Sequence, residues 1–417
     1  MRKIYVLACC IILSFSCNRN KIERVSEENK LPVIDSGLSP EELEDKILGM
    51  LVGSAIGDAM GAPTEMWSRT DIDLQYGFVE TLDSMVREAS PEGIWIPNLP
   101  AGGTTDDTRW KELTVDYLLS QDISSLKTKD FAQFIFDRYS SYVNELKLTE
   151  GVDPSAIEKA TLKLTWLQEW AKVSQPYISG NLDGYADSLS RFYGGEMVCA
   201  GLLYSPTIGA IYPANPEKAY AEAYKLSIYD IGYARDLSSL AASMTAAGMK
   251  KDATPDDILS ALRIDPRGYY ESRLVGRTAQ KILIDALLIQ KKSMELDSSS
   301  NRLTPKSKAL QFAFEELDSK QQDMPFHAGE IYLQVLTAML YADFDFQGTM
   351  VFLVNYGRDN DTTAAVAGGI LGAYVGFQKL PEISKNKVIQ VSNEQLGIDL
   401  KELAKNLTSH VLKNKKS

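Results

Sequence analysis

The 417-residue sequence contains two histidines, His327 and His410, and four cysteines. So few histidines leave little from which to build a His-rich zinc site or histidine-based acid–base chemistry, so any metal must be held by oxygen. Cys9, Cys10 and Cys17 all fall near the start, which leaves Cys199 alone in the rest of the chain and excludes a disulfide framework. The fold must rest on its own core, and a chain of this length can supply one. Cys199 itself, in G-E-M-V-C-A-G-L-L, reads as a buried position in an apolar helical run. Strand-like alternation is scarce, and neither an internal repeat nor a low-complexity block is present. Positive charge is also short. The formal net charge of −12 repels phosphate backbones and argues against a nucleic-acid partner. The basic K-N-K-K near the end reads as a solvated terminus.

What is present begins with Met1-Arg2-Lys3 and an apolar run from Ile4 to Phe15, too short to span a membrane and read as a secretory leader. Ser14, Phe15, Ser16 and Cys17 resemble a loose lipobox, with Cys17 as the acylated first residue of a mature bacterial lipoprotein. The expected location is outside the cytoplasm, in the periplasm or at the cell surface, with the membrane reached only through that lipid. Asn18 to Leu38 is polar and unpatterned, as suits a tether. At Ser39 a capping box opens a folded domain: Ser39 as N-cap, Pro40 at the first helical position, Glu42 three residues after the cap. The expected division is therefore leader 1–17, tether 18–38 and helical domain 39–417.

The first helix carries Gly49, Gly53, Gly57 and Gly61, every fourth residue. Glycine within a helix costs up to about 1 kcal/mol relative to alanine, so a stripe of it asks for a packing reason. A matching stripe, Ala364, Gly368, Gly372 and Gly376, lies near the C-terminus, and the two helices are expected to pack at short range. Helical periodicity also covers 128–146, 156–174, 216–226, 237–247, 254–262, 279–292, 306–318, 327–342 and 346–355, with 291–308 read as an exposed loop. One all-α domain is the economical architecture.

Two acidic clusters stand at expected helix starts: T-T-D-D-T, with Thr105, Asp106 and Asp107, and G-R-D-N-D-T-T, with Asp359, Asp361 and Thr362. Each by itself is compatible with simple helix capping. Together, far apart in sequence but alike in chemistry, they describe a metal site assembled from distant segments. Carboxylates and hydroxyls suit Mg²⁺ or Mn²⁺ over zinc or copper.

Three motifs in order, G-S-A-I-G-D-A-M-G-A-P-T-E from Gly53 to Glu65, T-D-D-T from Thr105 to Thr108, and Y-G-R-D-N-D-T-T-A-A-V-A-G from Tyr356 to Gly368, resemble the ADP-ribosylglycohydrolase family over most of the chain. The resemblance implies a single-domain orthogonal helical bundle with a di-metal cleft holding two Mg²⁺ or Mn²⁺. Thr105, Asp106 and Asp107 would supply one ligand set and Asp359, Asp361 and Thr362 the other. Glu65 and Asp107 would be the catalytic carboxylates, while Asp58 would hold the first loop. The implied activity is metal-dependent hydrolysis of a glycosidic bond in an ADP-ribosyl or related ribosyl compound, free or protein-linked, by a monomer.

The sequence also departs from the family pattern. Arg358 stands where a second glycine is usual, and either points outward or contacts a substrate phosphate. The middle region reads Y-G-G-E-M-V and Y-D-I-G-Y-A-R-D, which leaves Arg235 and Asp236 as candidate substrate contacts. Trp95 is placed either to stack on a base or sugar or to cover the core, whereas Trp110, Trp166 and Trp170 read as core. Two alternatives remain beside the hydrolase: a scavenging glycosidase with a different leaving group, and a non-catalytic lipoprotein that binds a nucleotide or sugar.

Overall fold

The capping box closes as the sequence requires. The Ser39 hydroxyl accepts from the Glu42 amide at 3.2 Å, and the Glu42 carboxylate accepts from the Ser39 amide at 2.7 Å. It starts α1 (Pro40–Gly61), in which every residue from Gly49 to Gly61 is buried. The structure is a computed structural model, and it describes residues 36–91, 95–149, 151, 153–271, 274–299 and 302–414. The leader, Cys17 and residues 18–35 lie outside the described residues. Ordered packing begins slightly before the capping box: Ser36 is buried, and its carbonyl accepts from the Lys251 amide at 3.0 Å.

After α1 come α2 (Arg69–Gln75), α3 (Asp106–Leu119), α4 (Thr128–Thr149), α5 (Pro154–Ser179), α6 (Leu182–Arg191), α7 (Ser205–Ala210), α8 (Pro216–Leu226) and α9 (Ala234–Gly248). The second half adds α10 (Pro255–Ala261), α11 (Thr278–Leu296), α12 (Lys308–Asp318), α13 (Ala328–Tyr341), α14 (Phe346–Tyr356), α15 (Asn360–Val375), α16 (Glu382–Val391) and α17 (Leu400–Asn414). Among the described residues there is no β-strand, only three isolated bridges between connecting segments.

The two small-residue stripes meet. A Cβ on Gly53 would lie 2.4 Å from the Gly368 carbonyl, one on Gly57 2.0 Å from that of Ala364, and one on Gly49 2.4 Å from that of Gly372. The partner number falls as the α1 number rises, so the helices run antiparallel with backbones in direct contact. Any side chain on these glycines would force them apart. Both helices are apolar around their circumference, which suits the centre of the domain, with α9, α13 and α14 packed around α15. The antiparallel arrangement also sets the C-terminal end of α1 beside the N-terminal end of α15.

Two local expectations change. Residues 291–296 continue α11: Lys291 and Lys292 face solvent, whereas Ser293 is buried with its hydroxyl donating to the Ile289 carbonyl at 2.8 Å. The polar face of a helix resembles loop in sequence; the described residues outside helices here are 297–299 and 302–307. Around Cys199 the chain is not a continuous helix. The Cys199 amide donates to the Phe326 carbonyl at 3.0 Å and the Ala328 amide to that of Met197 at 2.9 Å, so this segment pairs with a distant connection before a short 3-10 turn at Ala200–Leu203.

Candidate functional site

Asp58 lies in the last turn of α1 and organises the start of α3. One of its oxygens accepts from the Thr105 amide at 2.9 Å, and the other from the Thr108 amide and hydroxyl at 3.0 and 2.6 Å. Asp58 thus anchors the T-D-D-T motif rather than its own loop, and the amides at a helix N-terminus are natural partners for it. Thr105 is the N-cap of α3, accepting from the Asp107 amide at 3.4 Å.

The α15 cluster is aimed by backbone geometry. Gly357 (φ +87°) and Arg358 (φ +64°) are both left-handed and turn the chain out of α14 into Asp359. A left-handed arginine is strained where glycine is free. Main-chain pairing holds the turn: the Met66 amide donates to the Arg358 carbonyl at 2.7 Å and the Arg358 amide to the Trp67 carbonyl at 3.0 Å. That pairing fixes Glu65 beside Asp359. The Arg358 guanidinium makes two bonds to Glu330, at 2.8 and 2.9 Å, and one to the Gln322 carbonyl at 2.7 Å.

The two acidic clusters, 256 residues apart at this contact, therefore touch: the Thr105 hydroxyl donates to Asp361 Oδ2 at 3.2 Å. The Thr362 hydroxyl donates to Asp107 Oδ2 at 3.0 Å. Glu65, Asp359 and Asp361 offer oxygens that all lie within 4.8 Å of one another. Asp361 Oδ1 is buried with no hydrogen-bond donor. Such an atom is costly to bury unless something else satisfies it, and an all-oxygen set around it fits a hard divalent cation. Burial first, then neighbouring carboxylates, push Asp359 up to about 8 and hold Asp106 and Asp361 well above the usual carboxylate range. Asp58 rises to about 7 for the same two reasons.

Glu65, Asp106, Asp359, Asp361 and Thr362 form the floor of a cleft on one side. Its wall is apolar and aromatic, built around Trp170, Tyr193 and Phe326, with Cys199 among the smaller residues. Tyr193 is left-handed (φ +46°), and its ring packs edge-on to Phe192 and Phe326, with centroids 4.7 and 6.0 Å away. Burial pushes the Cys199 thiol well above its usual value, so it stays protonated.

The candidate substrate residues are not brought together. Trp95 packs against Trp166, centroids 5.5 Å apart, under the Arg109 guanidinium 4.0 Å from its ring, and is not part of the cleft lining. Arg235 donates to the Tyr224 carbonyl at 2.8 Å and lies over the Tyr224 ring. Asp236 is buried, binding Arg277 through both oxygens at 2.7 and 2.8 Å and accepting from the Tyr220 hydroxyl at 2.6 Å. Of the two middle segments that depart from the family pattern, 229–236 thus braces α8, α9 and α11, whereas 193–198 contributes Tyr193 and Val198 to the cleft lining. Trp170, expected in the core, is both buried and part of the wall.

Sequence reasoning missed Tyr193, Phe326 and Arg87. Arg87, on the long connection between α2 and α3, pairs with Glu65 and donates to the Ala62 carbonyl at 2.9 Å. The Gly-Gly pair after Tyr193 marked a turn, but nothing in its spacing tied that turn to Phe326.

The class so defined is an all-α protein in which distant helix ends converge on a carboxylate-floored cleft. The ADP-ribosylglycohydrolase family model matches residues 39–416, and the chain belongs to that family. A solved structure described as "ADP-ribosylglycohydrolase-related protein complex" is similar at 17% identity, with a TM-score of 0.51, covering 89% of this chain and 99% of that one. At that identity the likeness bears on the fold. No curated protein matches the chain.

Proposed function

We propose that this chain is a divalent-cation-dependent hydrolase of a glycosidic bond in an ADP-ribosyl or related ribosyl compound, exported and anchored through lipid on Cys17. The observation that carries the reading is the donor-less buried oxygen of Asp361 at the centre of a carboxylate cluster, facing an aromatic wall across the cleft. Glu65, Asp359 and Asp361 would hold Mg²⁺ or Mn²⁺, with Asp106 beside them in the floor. A bound cation of this kind polarises sugar oxygens and lowers the pKa of water. The carboxylate floor stabilises the positive charge that develops on the sugar as the bond to the leaving group lengthens. Arg87, paired with one oxygen of Glu65, would leave the other to face the ion. The aromatic wall provides faces for a base or sugar and displaces water from the cleft.

A second reading is favoured by one specific observation. Among the described residues that line the cleft, none is lysine, arginine or histidine. Arg358 and Arg235, the sequence candidates for phosphate contact, are engaged with Glu330 and the Tyr224 carbonyl. A diphosphate brought against this floor meets like charge except where a cation intervenes, so a riboside lacking the diphosphate suits the cleft, as in a scavenging glycosidase. The test incubates the purified chain, with and without Mn²⁺, with ADP-ribosylated protein, small ADP-ribosyl compounds and unphosphorylated ribosides, following product by chromatography. Cation-dependent release of a ribosyl product supports the proposal, and the preferred substrate decides between the two readings. Release from none of them defeats both.

A further inference from the structure

Asp107, beside the floor but not in the cleft lining, differs from the floor's carboxylates because protein donors occupy both of its oxygens. Thr362 donates to Oδ2 at 3.0 Å and the Lys111 ammonium to Oδ1 at 3.0 Å. Lys111 is one helical turn along α3 from Asp107, and each side chain is 1% exposed. An ammonium removed from water is costly, and a buried ion pair commonly gives no more stability than apolar residues of the same volume. A helix that needed only a filled core at position 111 would be served as well by leucine or methionine. The buried lysine therefore calls for a role at the site.

The other side of the cluster contrasts with this. Glu65, Asp359 and Asp361 converge within 4.8 Å with Arg87 engaged by Glu65, and Asp361 Oδ1 has no donor, so the three carboxylates exceed the positive charge beside them, whereas Asp107 has its own ammonium. We propose that this chain binds a single divalent cation, on Glu65, Asp359 and Asp361, and that the Lys111 ammonium stands in for the second ion that the family resemblance implies. The inference rests on reading the floor as a cation site and adds a stoichiometry to it. A fixed ammonium neutralises a carboxylate but has no vacant coordination position, so it cannot bind a sugar hydroxyl or a water as an ion does. Lys111 is accordingly a positioning residue, and all ligand exchange at the site takes place on one ion.

The test titrates Mn²⁺ into the full chain after chelator treatment, counting bound ions by calorimetry and native mass spectrometry and examining Mn²⁺–Mn²⁺ coupling by electron paramagnetic resonance. The expected result is one Mn²⁺ per parent chain with an uncoupled spectrum. Lys111→Met, which keeps the volume and frees Asp107, is expected to take up a second Mn²⁺ with a coupled spectrum. Two coupled ions in the parent, or still only one in a folded Lys111→Met chain, overturns the substitution by Lys111 while leaving the cation site standing. No bound Mn²⁺ in the parent overturns both. Should Lys111→Met fail to fold, the count in the parent still decides.

Discussion

The acidic floor of the cleft is assembled largely from helix ends whose positions follow from the glycine-lined contact of α1 with α15, whereas its aromatic wall combines Trp170 of α5 with two connections joined by main-chain hydrogen bonds. The floor cannot shift without separating two buried helices. Apart from Trp170, which is buried in α5, the aromatic wall can be rebuilt at Tyr193 and Phe326, which lie outside the α-helices. Such a division lets one rigid set of carboxylates serve different substrates, because groups that must be held to fractions of an ångström sit on packed helices and groups that select a ligand sit on connections. Substitutions should separate the two regions by what they change.

The largest effect is expected at the floor. Asp361→Asn keeps the size of the side chain but removes its charge, including at the buried oxygen that lacks a donor, and should lower turnover by about 10³-fold. Calorimetry should show Mn²⁺ binding lost while circular dichroism shows the helices retained. Asp359→Asn should do the same, and the double variant should be little worse than either, because groups serving one ion fail together. If both single variants bind Mn²⁺ like the parent and differ only in melting temperature, the carboxylates are helix caps and the contrast with the wall disappears.

Next in size is the packing beneath the floor. Gly57→Ala places a Cβ 2.0 Å from the Ala364 carbonyl and should cost about 3 kcal/mol in urea denaturation, at the upper end of typical overpacking. At the wall, Gly194 (φ +75°) has open space around its would-be Cβ. Gly194→Ala should cost only the conformational penalty, about 1 kcal/mol. Equal costs would mean that the glycine stripe does not fix the floor.

The pH dependence of the cation-free protein sharpens the contrast further. Asp359 is pushed up to about 8 from 3.8, so between those values the folded state holds a proton that the unfolded state has released. Its contribution to stability is complete below the lower value and is lost as pH rises through the higher one. Melting temperature with chelator present should therefore fall more steeply between pH 5 and about 8 in the parent than in Asp359→Asn, and saturating Mn²⁺ should flatten the parent's slope by competing with the proton. Identical slopes in parent and variant would show that Asp359 does not carry this linkage.

The floor was largely legible in the sequence and the wall was not, for a physical reason. Helix periodicity, the Ser39 capping box and two stripes spaced by four are local patterns, and once both stripes are seen their contact places Asp359 and Asp361 near Glu65. The pairing of Met197 and Cys199 with Phe326 and Ala328 depends on backbone groups more than a hundred residues apart, which carry no side-chain signature. Arg358 was legible as a departure but not in its consequence, because Glu330, its partner, sits on α13 in an ordinary helical pattern. Asp236 was singled out as acidic near a motif, although the Arg277 that neutralises it lies 41 positions away.

The smallest effect is expected at the wall, where it is also the most specific. Tyr193 and Phe326 meet edge-on across the two connections, and both line the cleft. Aromatic contacts of this kind contribute about 0.5–1.5 kcal/mol beyond simple burial, so Tyr193→Ala or Phe326→Ala should raise KM several-fold. Because such a contact holds substrate and transition state alike, kcat should change little. Mn²⁺ affinity and stoichiometry should match the parent, since the clustered ligand oxygens belong to Glu65, Asp359 and Asp361. Tyr193→Phe, which keeps the ring and removes the hydroxyl, separates stacking from hydrogen bonding: if it behaves as the parent, the ring face is what the substrate uses. A fall in kcat or in Mn²⁺ binding for any of these variants would show that the wall helps to hold the floor, and that the two regions are not independently variable.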